Sequence, residues 1–378
     1  MFLTGKRINT KHLIEQHLII LKSLQYKSGL FAASKKDAPT GYGKSWLRDN
    51  FYECLGFQAI DDWETIQKTM QAILKIFEKH EYKIDYAIEK KPEHKHEYIH
   101  ARFHPETFDE FWEDWGNKQN DSIGAILFLL GELEMKNTPV VKNDKERQIV
   151  QKLVNYLESI EYWHDVDSGM WEENEEVHAS SVGACVAGLR SITRIPGINV
   201  PDHLIAKGEE TLLILLPRES VSKFADLAEL SLIWPYHVVT PKQRDEILDN
   251  VEYHLLREHG VIRYKNDHYY NKNPDGYSEE AEWCFGISWL AIIYEELSQL
   301  PFDDAKKEYY RTKRNHFIQQ MLGTIADSGE VPELYFSHSD EYNENTPLGW
   351  AESLFVLALY HIGEKYIIVD EKKKDDKK

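Results

Sequence analysis

Cysteine is scarce: Cys54, Cys185 and Cys284 are the only three in 378 residues, each in an apolar helical context, and none forms a Cys-x-x-Cys. That excludes a disulfide framework and reads as reduced core thiols in a cytoplasmic protein. No long apolar run follows Met1-Phe2-Leu3 or occurs elsewhere, so neither a signal peptide nor a membrane span is expected. Basic charge is in deficit, with a net charge of -19, which argues against nucleic acid or an anionic membrane as partner. Period-2 alternation is nearly absent, which leaves little room for sheet. A phosphate-binding glycine loop and a Ser/His nucleophile signature are both missing.

Aromatic residues are plentiful, with 10 Trp and 21 Tyr. Helical periodicity recurs throughout and predicts twelve helices, at about 10–24, 46–60, 62–80, 121–134, 143–162, 178–193, 201–216, 225–233, 241–257, 279–297, 303–322 and 346–362. Asp121 is placed as the cap of the fourth. The 81–119 connection is unusually long, and loops of that length are often functional. Short strands are expected within it at Lys83–Ala87 and Ile99–Phe103. The even-numbered helices are apolar nearly all round and rich in Ala, Gly and Ser, whereas the odd ones carry Lys/Glu faces. An inner and an outer ring follow: an all-α (α/α)6 barrel with a few short strands in loops, one domain over residues 1–370 and a charged, frayed tail at 371–378.

Polar-aromatic clusters precede the even helices at Arg48, Asp121, Glu172, Ala225, Glu279 and Glu333. After the first interval they recur every 50 to 55 residues or so, about one helical hairpin each. All six would open on one end of the barrel. Trp171-Glu172-Glu173 follows an Asp167-Ser168-Gly169 turn, and a carboxyl beside an indole can be kept protonated by desolvation, as a general acid requires. The same pair would also serve as an ordinary acidic helix entry. Glu333, after Pro332, is either a loop carboxylate or a general base. Two carboxyls across a pocket are what glycoside hydrolysis needs. Trp46-Leu-Arg48-Asp49 reads as a helix cap with its ion pair, or as a fork for sugar hydroxyls. Arg263, and Asp121 with Trp115, carry the same two readings. His94, His96, His100 and His104 have poor spacing for a metal.

Taken in order, Trp46-Leu-Arg48-Asp49, Trp115-Gly-Asn-Lys-Gln-Asn-Asp121, Gly169-Met-Trp171-Glu172-Glu173, Ile262-Arg263-Tyr264 with Tyr269-Tyr270-Asn271, and Val331-Pro-Glu333 resemble the motifs of glycoside hydrolase family 15. The resemblance runs from about Gly29 to Ile362. It implies an (α/α)6 barrel and an inverting hydrolase acting on an α-glucan or gluco-oligosaccharide, with no metal or organic cofactor. It makes Glu172, rather than Glu173, the general acid and Glu333 the base, with carboxyls roughly 6.5–9.5 Å apart. Trp46, Arg48, Asp49, Trp115, Asp121, Trp171, Glu173 and Arg263 become the sugar-binding set. Ala179-Ser-Ser-Val-Gly183, Glu282-Trp283, Val331-Pro-Glu-Leu-Tyr335 and Gly349-Trp350 also resemble the glucoamylase-like region of phosphorylase kinase α and β subunits, a regulatory setting. Lys118 and Asn120 stand where fungal glucoamylases have proline and arginine.

Overall fold

A helix that is apolar on every side has to be covered on every side, and that requirement organises the computed structural model, which describes residues 5–113, 115–271, 279–363 and 366–370. The tail expected at 371–378 lies outside the described residues. In chain order the helices are α1 (Thr10–Ser23), α2 (Leu47–Ala59), α3 (Trp63–Lys79), α4 (Glu81–Glu89), α5 (Asn120–Met135), α6 (Asp144–Ser159), α7 (Ala179–Ile192), α8 (Asp202–Leu215), α9 (Leu230–Ile233), α10 (Pro241–Asn250), α11 (Cys284–Gln299), α12 (Asp304–Leu322) and α13 (Gly349–Ile362). Nearly every residue of α2, α5, α7, α9, α11 and α13 is buried, and these six form the inner ring. In α3 and α6 only one stripe is buried, and both belong to the outer ring. The fold is an (α/α)6 barrel.

Gly124 and Gly188 let α5 and α7 approach closely: a Cβ on Gly124 would lie 2.4 Å from the Ala184 carbonyl carbon, and one on Gly188 2.4 Å from the Gly124 oxygen. The ring is closed where α1 and α2 both pack on α13. Alongside that seam, β1 (Gly5–Asn9) pairs antiparallel with β6 (Tyr366–Asp370), in register from Gly5↔Asp370 to Asn9↔Tyr366. Two shorter ribbons stand at the loop end of the barrel. There β2 (Ser45–Trp46) pairs with β3 (Arg102–Phe103), and β4 (Glu282–Trp283) pairs with β5 (Leu334–Tyr335).

The described residues hold thirteen α-helices rather than twelve. The extra one, α4, replaces the strand expected at Lys83–Ala87. Its buried residues are Lys83, Ile84 and Ala87, a helical spacing, and the Lys83 ammonium is satisfied at 2.9 Å from both oxygens of Glu110. Only Arg102–Phe103 of the second expected strand is paired. The segment expected as a helix from 225 begins with an Asp226-capped 3-10 turn at Leu227–Glu229, and the one from 241 ends in a π turn at Val251–Leu255. The helices expected from 279 and 346 start later, at Cys284 and Gly349. For α11 the cause is plain, because Glu282 and Trp283 are taken up in β4. Asp121 does not cap α5. That position belongs to Gln119, and Asp121 sits inside the first turn.

Candidate active site

The N-terminal ends of the inner helices converge on one cavity. It is lined by Tyr42, Trp46, Arg48, Asp49, Trp171, Glu172, Arg263, Tyr269, Trp283, Glu333 and Trp350, among others, and has a volume of about 80 Å³. Its floor is sealed by rings: Trp350 stacks on Tyr52 at 4.1 Å and on Phe285 at 4.4 Å, both fully buried. Larger openings lie elsewhere, two of them much larger. One, about 710 Å³, is at the opposite end among the C-termini of inner helices, and one, about 620 Å³, is beside α4. Size is no guide here, because the cavity that gathers the carboxyls and the indoles is smaller than each of these.

Glu172 is presented by a rigid hairpin loop. Asp167 and Glu176 exchange backbone hydrogen bonds of 2.9 and 3.1 Å across its base. His178, whose pKa rises to about 9 through its 2.9 Å bond to Asp167 despite burial, ties that base to α7. Asp167 also accepts from Ser181 Oγ and from the Asn120 N–H, each at 2.8 Å. Gly169 turns with φ 62, and a side chain there would strike the His178 ring at 2.9 Å. The Trp171 indole donates to Asp226 at 2.7 Å. Glu172 itself takes a left-handed φ of 66, a strained conformation that its surroundings hold in place. Behind it Gly116 leaves no room for a Cβ, which would lie 2.5 Å from the Glu172 carbonyl oxygen.

The Glu172 side chain is 23 % exposed and lines the cavity, and Arg48 Nη2 stands 3.3 Å from Oε1. Burial raises its pKa to about 7, with Arg48 pulling the other way. Glu333, just before β5, is 1 % exposed. Its carboxylate accepts from Tyr42 Oη at 2.9 Å, Asn343 Nδ2 at 2.5 Å and Asn345 Nδ2 at 2.7 Å. Burial raises this group to about 7 as well, opposed by the three donors. Asp49 is a third carboxyl on the same cavity, pushed by burial to about 6 against the pull of Arg48.

The residues singled out by sequence divide into layers. Trp46, Arg48, Asp49, Trp171, Glu172, Arg263 and Glu333 line the cavity. Asp121 is buried behind, where its Oδ2 accepts from Arg48 Nη1 at 2.9 Å beside Gln119 at 3.0 Å. Glu173 turns away from the cavity and is gripped by Arg263 at 2.7 Å, Lys223 at 3.4 Å and the Tyr264 hydroxyl. Trp115 touches Trp46 edge-on at 6.2 Å but faces the groove beside α4. His94 and His96 stack on each other at 5.6 Å while His100 packs on Trp115, and among the described residues no group of side chains converges as metal ligands would. Sequence reasoning missed Tyr42, Lys223, Asp267, Asn343 and Asn345. Asp267 holds Arg263 with two bonds of 2.6 Å. Only Tyr42, between two glycines of a loop, carried any local signal.

The family model for glycosyl hydrolases family 15 matches residues 10–358. The chain belongs to this family. As a family 15 member it is 27 % identical over 86 % of its length to a probable phosphorylase b kinase regulatory subunit alpha of Caenorhabditis elegans, and 24 % identical over 66 % to an uncharacterized glycosyl hydrolase of Methanocaldococcus jannaschii. It spans about a third of the first relative's length and under half of the second's, 31 % and 43 %. The fold is shared with a glycosidase solved as a variant in complex with glucose (TM-score 0.76, 16 % identity, 94 % and 97 % of the two chains). It is shared too with the glucoamylase of Saccharomycopsis fibuligera (0.68, 13 %, 97 % and 98 %). Among the described residues no helix is long and apolar enough to cross a membrane.

Proposed function

We propose that this family 15 chain is an exo-acting, inverting α-glucoside hydrolase that releases glucose from the non-reducing end of an α-glucan or gluco-oligosaccharide. Glu172 protonates the departing glycosidic oxygen. Glu333 takes a proton from the water that attacks the anomeric carbon from the other side, so the product is β-glucose. The observation that carries the reading is that Glu172 and Glu333 line one cavity, each with its pKa raised to about 7. The sealed aromatic floor supports exo action, because a chain end can enter and a chain middle cannot thread through. Arg48 and Asp49 supply donors and an acceptor for the terminal sugar, Trp46 and Trp171 its apolar walls. Arg263 lines that subsite with them, and Trp115, Asp121 and Glu173 support it from around.

Three unpaired, buried cysteines favour a cytoplasmic location, and the closure of six inner helices into one ring favours a single domain over residues 1–370. The alternative reading is a glucan-binding regulatory domain without turnover, favoured by the similarity to the phosphorylase kinase subunit. One assay separates them: glucose release and its anomeric form, followed by NMR, from maltooligosaccharides, isomaltooligosaccharides and trehalose. The hydrolase reading expects β-glucose from the wild type and at least a thousandfold loss in Glu172→Gln. No turnover on any substrate overturns it in favour of the regulatory reading.

A further inference from the structure

The long 81–119 connection builds more than one wall of the catalytic cavity. Because residues 81–89 form a helix and not a strand, Tyr82 and Tyr86 stand four apart on one face of α4. That face borders the 620 Å³ groove, which Trp112 and Trp115 also line. Tyr82 is 64 % exposed and Trp112 94 %, the most exposed of the ten tryptophans. Flat rings left bare around one groove mark a binding surface rather than scattered surface apolarity.

The polar groups of the groove narrow the ligand class. Its charged side chains already have partners. Lys83 holds Glu110 at 2.9 Å, Lys95 holds Glu175 at 3.1 Å, Glu97 takes the Tyr86 hydroxyl at 3.0 Å, and Glu113 takes Lys44 at 2.9 Å and Arg102. Among the described residues no positive charge is left unmatched to recruit an anion or a nucleic acid, and Glu97, held only by neutral donors, is an acceptor suited to hydroxyls. One buried donor is left over. His100 is 5 % exposed, lines the groove and stacks on Trp115 at 5.6 Å. Its Nδ1 accepts the Arg102 N–H at 3.0 Å, so Nε2 carries the proton, and no described residue accepts it. Burial and the nearby Lys83 and Arg102 charges hold the ring neutral, with its pKa near 3.

We propose that this groove is a second carbohydrate site, in which Tyr82, Tyr86 and Trp112 stack on the faces of a neutral glucan segment and His100 donates to one of its hydroxyls. Trp115, with Trp46 on its other side, is the partition between this groove and the catalytic cavity. The groove therefore tethers a polymer whose end is presented next door. The assignment rests on the reading of the chain as a glucan-acting protein, but not on catalysis.

The test is electrophoretic mobility in native gels containing glycogen or dextran, on the wild type, Glu172→Gln and Tyr82→Ala/Trp112→Ala. Expected is retardation of the first two by at least one polymer and about tenfold weaker retardation of the double variant. Its melting temperature and its turnover of the disaccharide the enzyme accepts should be unchanged, and Trp112→Phe should keep most of the retention. An unretarded wild type, or a double variant retarded as strongly as the wild type, overturns the proposal. Groove-dependent retention without any turnover would remove the hydrolase reading and leave the groove standing.

Discussion

Asn343 offers a way to ask which carboxyl is the base. It is 2 % exposed and donates to Glu333 Oε2 at 2.5 Å, while its own Oδ1 has no partner. Asn343→Leu therefore removes one hydrogen bond at nearly constant volume and strands nothing new. A hydrogen bond to a charged group is worth about 1.5–3 kcal/mol, and 1.36 kcal/mol moves a pKa by one. Tyr42 and Asn345 remain, so the smaller end of that range applies, and the Glu333 pKa should climb by about one from its value of about 7. A base must be ionised to act, so raising its pKa withdraws the active form on the acid side. With the acid Glu172 staying at about 7, kcat/KM should fall about tenfold at pH 6 and only about twofold at pH 8. Were Glu333 the acid instead, the same substitution would leave pH 6 nearly untouched and raise the rate about fivefold at pH 8. A gain at pH 8 would thus refute the roles assigned here, and an equal loss at every pH would refute the electrostatic reasoning.

Two further outcomes follow from the packing around the site. Gly116→Ala puts a methyl 2.5 Å from the Glu172 carbonyl oxygen and must push the backbone of the hairpin loop, so kcat should drop about a hundredfold and the melting temperature should fall by a few degrees; an unchanged kcat would show that the loop is free to give. Glu53 on α2 is wholly buried with both carboxyl oxygens unpartnered, and burial, then Asp49, raises its pKa well above the ordinary 4.5. The fold holds it protonated, so its cost is absent below pH 4.5 and grows as pH rises above that value. Glu53→Gln cannot ionise. It should match the wild type in thermal melts at pH 4.5 and melt higher at pH 8; equal melting at both would refute the account.

The ring architecture was legible because burial on all sides leaves no periodic stripe, and the inner helices show exactly that kind of uniform apolarity in α5, α7 and α11. The misreading at 83–87 has a local cause. Lys83-Ile-Asp-Tyr86 alternates polar and apolar residues, and only the distant Glu110 makes a buried Lys83 tolerable, turning the segment into a helix. The late start of α11 was hidden for a similar reason: Glu282 and Trp283 pair with residues about fifty positions onward. At the site, the carboxyls and indoles stood out as unusual neighbours in sequence. Asn343, Asn345, Lys223 and Asp267 did not, because an ordinary polar loop residue acquires its meaning from the group it is folded against.

The antiparallel clasp of β1 with β6 lies along the seam where α1 meets α13. The two outermost described strands therefore lie side by side, and the barrel has a circumference but no beginning. Cavity residues come from all around that circumference, so the order in which the hairpins are strung is a matter of where the circle is cut. Bridging the clasp with a short linker and opening the chain elsewhere, at an outer turn such as 194–200, would give a rearranged gene with the same cavity.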